Sequence, residues 1–321
     1  MKAILAAILL GAASAAPAAP DDLFHQLQAN AWYLTTGDRT SLVYVTSLGR
    51  GPRVVVLHGG FGANLYYMVR AIEPHLGVRE FVLYDQRGSL LSPHRAALDT
   101  LSVENLVDDL ERLRVQLGEE RLVLFAHSMG SRLAYEYLRR FPDRVAGLIL
   151  VGAFPPRGGG SFDAINQRGT AMTSRPEVAA VLAAEGVAEL TEASTDRQRT
   201  LNWRIRFAGV NMVHVERWRD MEGGRAFYNG ETGGRLGNSL TGDWDVPAML
   251  GARRIPISVI QGDQDYVDPS AAGWSALAGE GGPLVRCLNV TPIRDGGHAV
   301  WLDDPRGFAA AVTRALERSA C

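Results

Sequence analysis

"RLVLFAHSMGSRLAYEYLRRFP", residues 121–142, runs from an apolar stretch through a corner of small residues into a helical pattern. The run Leu122–Ala126 has the continuous apolar character of a strand buried on both faces. Behind it, Leu133, Tyr137 and Leu138 recur at helical spacing, and Pro142 stops the helix. Between them sits Ala126-His127-Ser128-Met129-Gly130, the G-x-S-x-G pattern with alanine in place of the first glycine. A serine on such a sharp strand-to-helix turn has its hydroxyl exposed at the end of a sheet. Alanine is small enough to let the backbone fold closely there.

Similar runs repeat along the chain. Residues 53–60, 80–88, 146–154 and 257–263 read as further buried strands, and 284–290 as another. Residues 31–49 read as an antiparallel hairpin at one edge. Helical patterns lie between the runs; one starts at a capping serine, Ser102, carries Leu106, Leu110, Leu113 and Leu117 on one face, and ends at Gly118. The alternation predicts an α/β fold with a mostly parallel sheet flanked by helices. The rhythm stops between residues 155 and 250, where a helical segment rich in Trp and Arg reads as a cap inserted over the sheet. Residues 20–154 and 251–321 then form the two parts of the core.

A serine hydroxyl is a weak nucleophile and needs a base, which needs orienting in turn. On a sheet of this kind the partners follow in the order serine, acid, histidine. Asp265 lies in the loop after the strand at 257–263, with Asp263 and Asp268 as rivals; Asp263 suits a turn, and Asp268, before Pro269, suits a helix start. Of the seven histidines, His298 follows Gly296-Gly297 on a loop before the last helix. His25, His75 and His94 read as surface residues, and His127 as packing against the serine turn. Backbone amides for a developing oxyanion are available from Gly60, in the loop "LHGGFG", and from Met129. An aspartate nucleophile, which epoxide or haloalkane hydrolysis on such a sheet would require, is absent at position 128.

Composition excludes several alternatives. The 321 residues are 46% hydrophobic and 21% charged with a net charge of −2, so there is no electrostatic footprint for nucleic acid. Lys2 is the only lysine, which rules out a P-loop, a Schiff-base lysine and a Ser–Lys dyad in a chain lacking Lys2. No HExxH or Cys/His cluster suggests a metal, and no cofactor motif occurs. The first 19 residues have the pattern of a signal peptide, with cleavage expected between Ala15 and Ala19, and the apolar run is too short for a membrane anchor. The expected location is therefore periplasmic or extracellular. In that setting Cys287 and Cys321 either pair or leave Cys287 as a buried apolar side chain beside a frayed end.

Two further motifs carry a resemblance. His58-Gly59-Gly60-Phe61-Gly62 is similar to the HGGPG motif, and Asp85-Gln86-Arg87-Gly88-Ser89-Leu90-Leu91-Ser92 to the DQRGSGRS motif, of proline iminopeptidases in the α/β-hydrolase superfamily. The resemblance implies that fold from about residue 40 onward, and removal of an N-terminal residue, often proline, from short peptides. Such an enzyme needs acidic groups in the cap for the substrate's ammonium; Glu216, Asp220 and Glu222 are available, with Trp203 and Trp218 as pocket walls and Phe61 beside the oxyanion loop. The same carboxylates could instead pair with neighbouring arginines on a solvated face. An esterase or lactonase on small apolar esters would use the same triad, and a non-catalytic binding protein would use the same fold.

Overall fold

The apolar runs alternate their side chains between two faces, and that alternation builds the sheet. Val55, Leu57, Leu124 and Ala126 join one buried cluster, while Val54, Val56 and Phe125 join another. The computed structural model describes residues 20–159, 162–222, 228–240, 242–281, 284–318 and 321. The expected signal segment, residues 1–19, and Phe227 of the cap lie outside the described residues.

Among the described residues the strands are β1 (Trp32–Thr35), β2 (Leu42–Gly49), β3 (Arg53–Leu57), β4 (Glu80–Tyr84) and β5 (Leu122–His127), followed by β6 (Val145–Val151), β7 (Arg157–Gly158), β8 (Trp244–Asp245), β9 (Ile257–Gly262) and β10 (Leu288–Ile293). Eight of them form one sheet in the order β1-β2-β4-β3-β5-β6-β9-β10. Within that sheet only the β1–β2 and β2–β4 pairings are antiparallel; the rest run parallel. Helices Val103–Leu117 and Met129–Arg140 cover one face, and Val300–Asp303 and Pro305–Glu317 the other. The first of these starts where the Ser102 N–H donates to Asn105 Oδ1 (2.8 Å) and ends at Gly118 in the left-handed region, φ 71°.

Three expectations are corrected. The strand expected at 284–290 begins at Leu288, because Val285–Cys287 forms a 3-10 turn leading into it. The helix after Ser128, expected to be amphipathic with Leu133, Tyr137 and Leu138 turned inward, is buried all round from Gly130 to Leu138, so its polar residues have partners inside the molecule. The Arg132 guanidinium stacks 3.7 Å from the centre of the Trp244 ring, and Tyr135 Oη donates to the Phe154 carbonyl (2.8 Å). His75, expected at the surface, is buried, and burial lowers its pKa.

Between β6 and β9 the chain leaves the sheet. The short antiparallel ladder β7–β8 joins the two ends of this excursion, pairing Arg157 with Asp245. Helices Asp163–Thr173, Pro176–Ala184, Asp196–Asn211 and Gly230–Ser239 lie within it.

At the other end of the sheet a Cys287–Cys321 disulfide, Cα–Cα 4.5 Å, ties the chain terminus to the approach to β10. It spans 34 positions, a length for which loop closure predicts stabilisation of about 3–4 kcal/mol. Cys321→Ser is expected to lower stability by that order and leave activity intact. Thermal melts of the two proteins check this, and equal melting temperatures would dismiss a stabilising role. The variant leaves a buried Cys287 thiol, so no new polar group is placed in the core.

Candidate active site

Residue 128 is where the sequence and backbone geometry meet most sharply. Ser128 joins β5 to helix Met129–Arg140 at φ 53°, ψ −124°, a region that costs a non-glycine residue about 1–3 kcal/mol. The turn is secured by Ser128 N–H donating to Val151 O (3.0 Å) and by the Ser131 N–H and hydroxyl, which donate to Ser128 O (2.8 and 2.7 Å). A β-carbon on Gly130 would lie 2.3 Å from Leu57 O, so the second glycine of the pattern is a steric requirement. Ala126 takes the first position fully buried.

Ser128 and His298 line one cavity. His298 is held from behind: its Nδ1 lies 2.9 Å from both oxygens of Asp265. A carboxylate only accepts, so Nδ1 carries the proton and Nε2 is left as the acceptor. Asp265 is fully buried and also accepts from Gln261 Nε2 (2.9 Å) and the Val267 N–H (2.8 Å). Its rivals have other partners. Asp263 Oδ1 accepts the Gly296 N–H (3.3 Å), and Asp268 accepts the Gly273 N–H (3.1 Å).

Gly60 borders the same cavity, and Met129 is the first residue of its helix, where backbone N–H groups have no intrahelical partner. The Gly-rich loop is fixed by the second motif. Gln86 N–H donates to His58 Nε2 (3.1 Å), Gln86 Nε2 donates to His58 O (2.8 Å), and His58 Nδ1–H donates to Gly59 O (3.1 Å). Burial lowers the His58 pKa to about 4, so it is neutral near pH 7 and acts as a brace. Asp85 receives the Leu65 and Leu91 N–H groups (both 2.8 Å), and Arg87 forks onto Asp109 (2.9 and 2.7 Å). The motif thus pins the glycine-rich loop against the sheet.

His127 also has a bracing place. Its Nε2–H donates to His298 O (3.2 Å) and its Nδ1 accepts from Tyr67 Oη (2.8 Å), which itself accepts the Gly59 N–H (2.5 Å). This chain of bonds links the glycine-rich loop, the serine strand and the loop of His298. Nothing in the local sequence around Tyr67 signals that position.

Of the candidate substrate-binding residues, Trp203 lines the cavity and stacks on Phe207 (centroids 4.8 Å, planes 11° apart). Phe61 packs instead in the core. Glu216 faces solvent with 64% of its side chain exposed, beside His214 (3.4 Å). Trp218 is buried between the guanidinium groups of Arg204 (5.0 Å) and Arg219 (4.4 Å). Both sit on the 3-10 turn Val215–Asp220, whose faces point outward and into the core of the cap. The carboxylate that reaches the cavity is Glu222, with Tyr67, Asn211, Tyr228 and Tyr266 also on its wall. Among the described residues no group of His, Cys, Asp and Glu could hold a metal ion, and no helix is long and apolar enough to cross a membrane.

A sheet of this order, a serine on its strained turn and a buried Asp–His pair define a hydrolase scaffold. The family model for the alpha/beta hydrolase fold matches residues 52–305, and the chain belongs to that family. Within the family it resembles the proline iminopeptidase branch. It is 39% identical over 104 residues to a proline iminopeptidase of Xylella fastidiosa (strain 9a5c), which is 32% of this chain and 33% of that protein. It is likewise 39% identical over 105 residues to a proline iminopeptidase of Arabidopsis thaliana, 32% of this chain and 27% of that protein. The match thus spans about a third of these curated relatives. Over 89% of this chain and 96% of the other, it superposes on a proline iminopeptidase-related protein from Thermus thermophilus with TM-score 0.61 and 25% identity. A thermophilic esterase from Thermogutta terrifontis shares the fold, with TM-score 0.62 and 22% identity over 91% of this chain and 99% of that one.

Proposed function

We propose that the chain is a serine hydrolase of aminopeptidase type, releasing the first residue of short peptides through an acyl-enzyme. Ser128 Oγ attacks the carbonyl carbon while His298 Nε2 takes its proton. Asp265 keeps the imidazole in the required tautomer, and the Gly60 and Met129 amides receive the oxyanion. His298 returns the proton to the leaving amine, and water, activated in the same way, frees the acid. The observation that carries the peptide reading is Glu222 on the wall shared by Ser128 and His298. It offers a negative charge for a free α-ammonium group, and Trp203 and Phe207 offer an apolar surface for a first side chain.

One observation favours the second reading, an esterase or lactonase. Arg70 Nε lies 3.7 Å from Glu222 Oε1 and competes with a substrate ammonium for it. Hydrolysis of proline p-nitroanilide, its N-acetyl derivative and p-nitrophenyl butyrate separates the two. Glu222→Gln is expected to raise KM for the free-amine anilide at least tenfold and leave the butyrate rate unchanged. Equal effects on both would remove Glu222 from amine recognition. Burial raises the Glu222 pKa, so amine affinity should weaken on acidification at a higher pH than an exposed glutamate would give.

We also infer export. The disulfide supports it, since such bonds persist in oxidising compartments. N-terminal sequencing of protein recovered outside the cytoplasm tests it; an intact Met1 on that material would refute cleavage.

A further inference from the structure

The cavity at Ser128 is small, about 90 Å³, against the ~300–1,000 Å³ that pockets for drug-sized ligands occupy. A peptide of several residues cannot fit in it. Beside it lies an open cleft of about 890 Å³ between loop 88–98 and residues 228–232.

Tyr228 lines both spaces. Its Cε2 is 3.7 Å from the point where a β-carbon on Gly60 would sit, so the ring stands over the oxyanion loop with the cleft beyond. The segment is held in place at its root. Asn229 N–H donates to Gly62 O (2.8 Å), and a β-carbon on Gly62, at φ 83°, would lie 2.2 Å from Asn229 O. Any other residue at position 62 would push the segment away.

The cleft is also where exposed apolar surface collects. Leu90, Leu98 and Tyr228 are three of the nine large hydrophobic side chains left exposed among the described residues, each about two-fifths so, and all three line it. Such clustering marks a binding surface, whereas scattered single residues do not.

We propose that this cleft is the leaving-group subsite: it takes the part of the substrate beyond the scissile bond, a peptide continuation of two or more residues with an apolar side chain against Leu90 and Leu98. The substrate class is then a single small residue in the inner cavity joined to an extended, partly apolar chain outside it. The assignment rests on the peptide reading above for the kind of chain, and on the shared Tyr228 wall for its path.

The test compares proline p-nitroanilide, Pro-Gly and Pro-Leu-Leu-Gly on purified protein, with Leu90→Asp and Leu98→Asp variants. The tetrapeptide is expected to have a kcat/KM about tenfold above that of Pro-Gly, through KM. Each variant should erase that gain and leave the Pro-Gly rate within about twofold, because glycine brings no side chain to Leu90 or Leu98, a split that general damage to the fold would not produce. No gain with length, or equal loss on Pro-Gly and the tetrapeptide, overturns the assignment. If no proline substrate is cleaved, the aminopeptidase reading fails separately. The same variants are then read on ethyl and octyl butyrate: loss of an octyl preference supports the cleft, and unchanged rates overturn it.

Discussion

Ser128→Ala is expected to lower kcat by roughly four to six orders of magnitude while the protein stays folded. The side chain contributes no hydrogen bond that secures the turn. The bonds that hold it use the Ser128 backbone, accepting from Ser131 and donating to Val151. Alanine at φ 53° carries the same β-carbon as serine, so the strain is unchanged. The expected result is therefore a silent enzyme with an unaltered melting temperature, still able to bind substrate. Single-turnover kinetics and labelling by a fluorophosphonate read the outcome. Activity within tenfold of the parent, or labelling of the alanine variant, would place the nucleophile elsewhere.

Asp265→Asn is expected to cost about 10⁴ in kcat, and the cause is the tautomer. The Asp265 carboxylate faces only donors: His298 Nδ1, Gln261 Nε2 and the Val267 N–H. An amide has one oxygen to offer, and Gln261 and Val267 compete for it. The amide NH₂ then faces His298 Nδ1, which must become an acceptor and move its proton to Nε2. An imidazole protonated at Nε2 cannot take the serine proton. Asp268→Asn is the matched control, because that carboxylate receives the Gly273 N–H and stands apart from His298; its effect should stay below about tenfold. Comparable losses in the two variants would assign the orienting role away from Asp265.

The fold was legible because its signals are local. A strand buried on both faces must be a continuous apolar run, and the runs at 53–57, 122–127, 145–151 and 257–262 needed no distant information to be seen. The start of β10 was not, since Val285 and Cys287 flank Arg286 in the alternation of a strand, yet the three residues curl into a 3-10 turn that the disulfide ties to Cys321. His75 was misplaced because nothing in the short stretch Glu73-Pro74-His75-Leu76-Gly77 marks a histidine as buried, and only the fold covers it.

For the site, what the sequence determined by itself is the chemistry of the turn: a small-x-Ser-x-Gly corner after a strand, a glycine-rich loop for amides, and an acid and a histidine in the right order. Those residue types are dictated by close backbone approach and by proton transfer, which leave fixed local spacings. Only the tertiary structure decided which carboxylate meets His298, that Gln86 and His58 brace the glycine-rich loop, and that Glu222 and not Glu216 reaches the cavity. Glu216 and Glu222 stand six positions apart in one arginine-rich stretch, and nothing local distinguishes them. Their fates differ because the 3-10 turn Val215–Asp220 points Glu216 to solvent and buries Trp218, and the chain then carries Glu222 on toward the wall beside Trp203. A cap side chain meets the core through contacts made far away in the sequence, and such contacts leave no periodicity to read.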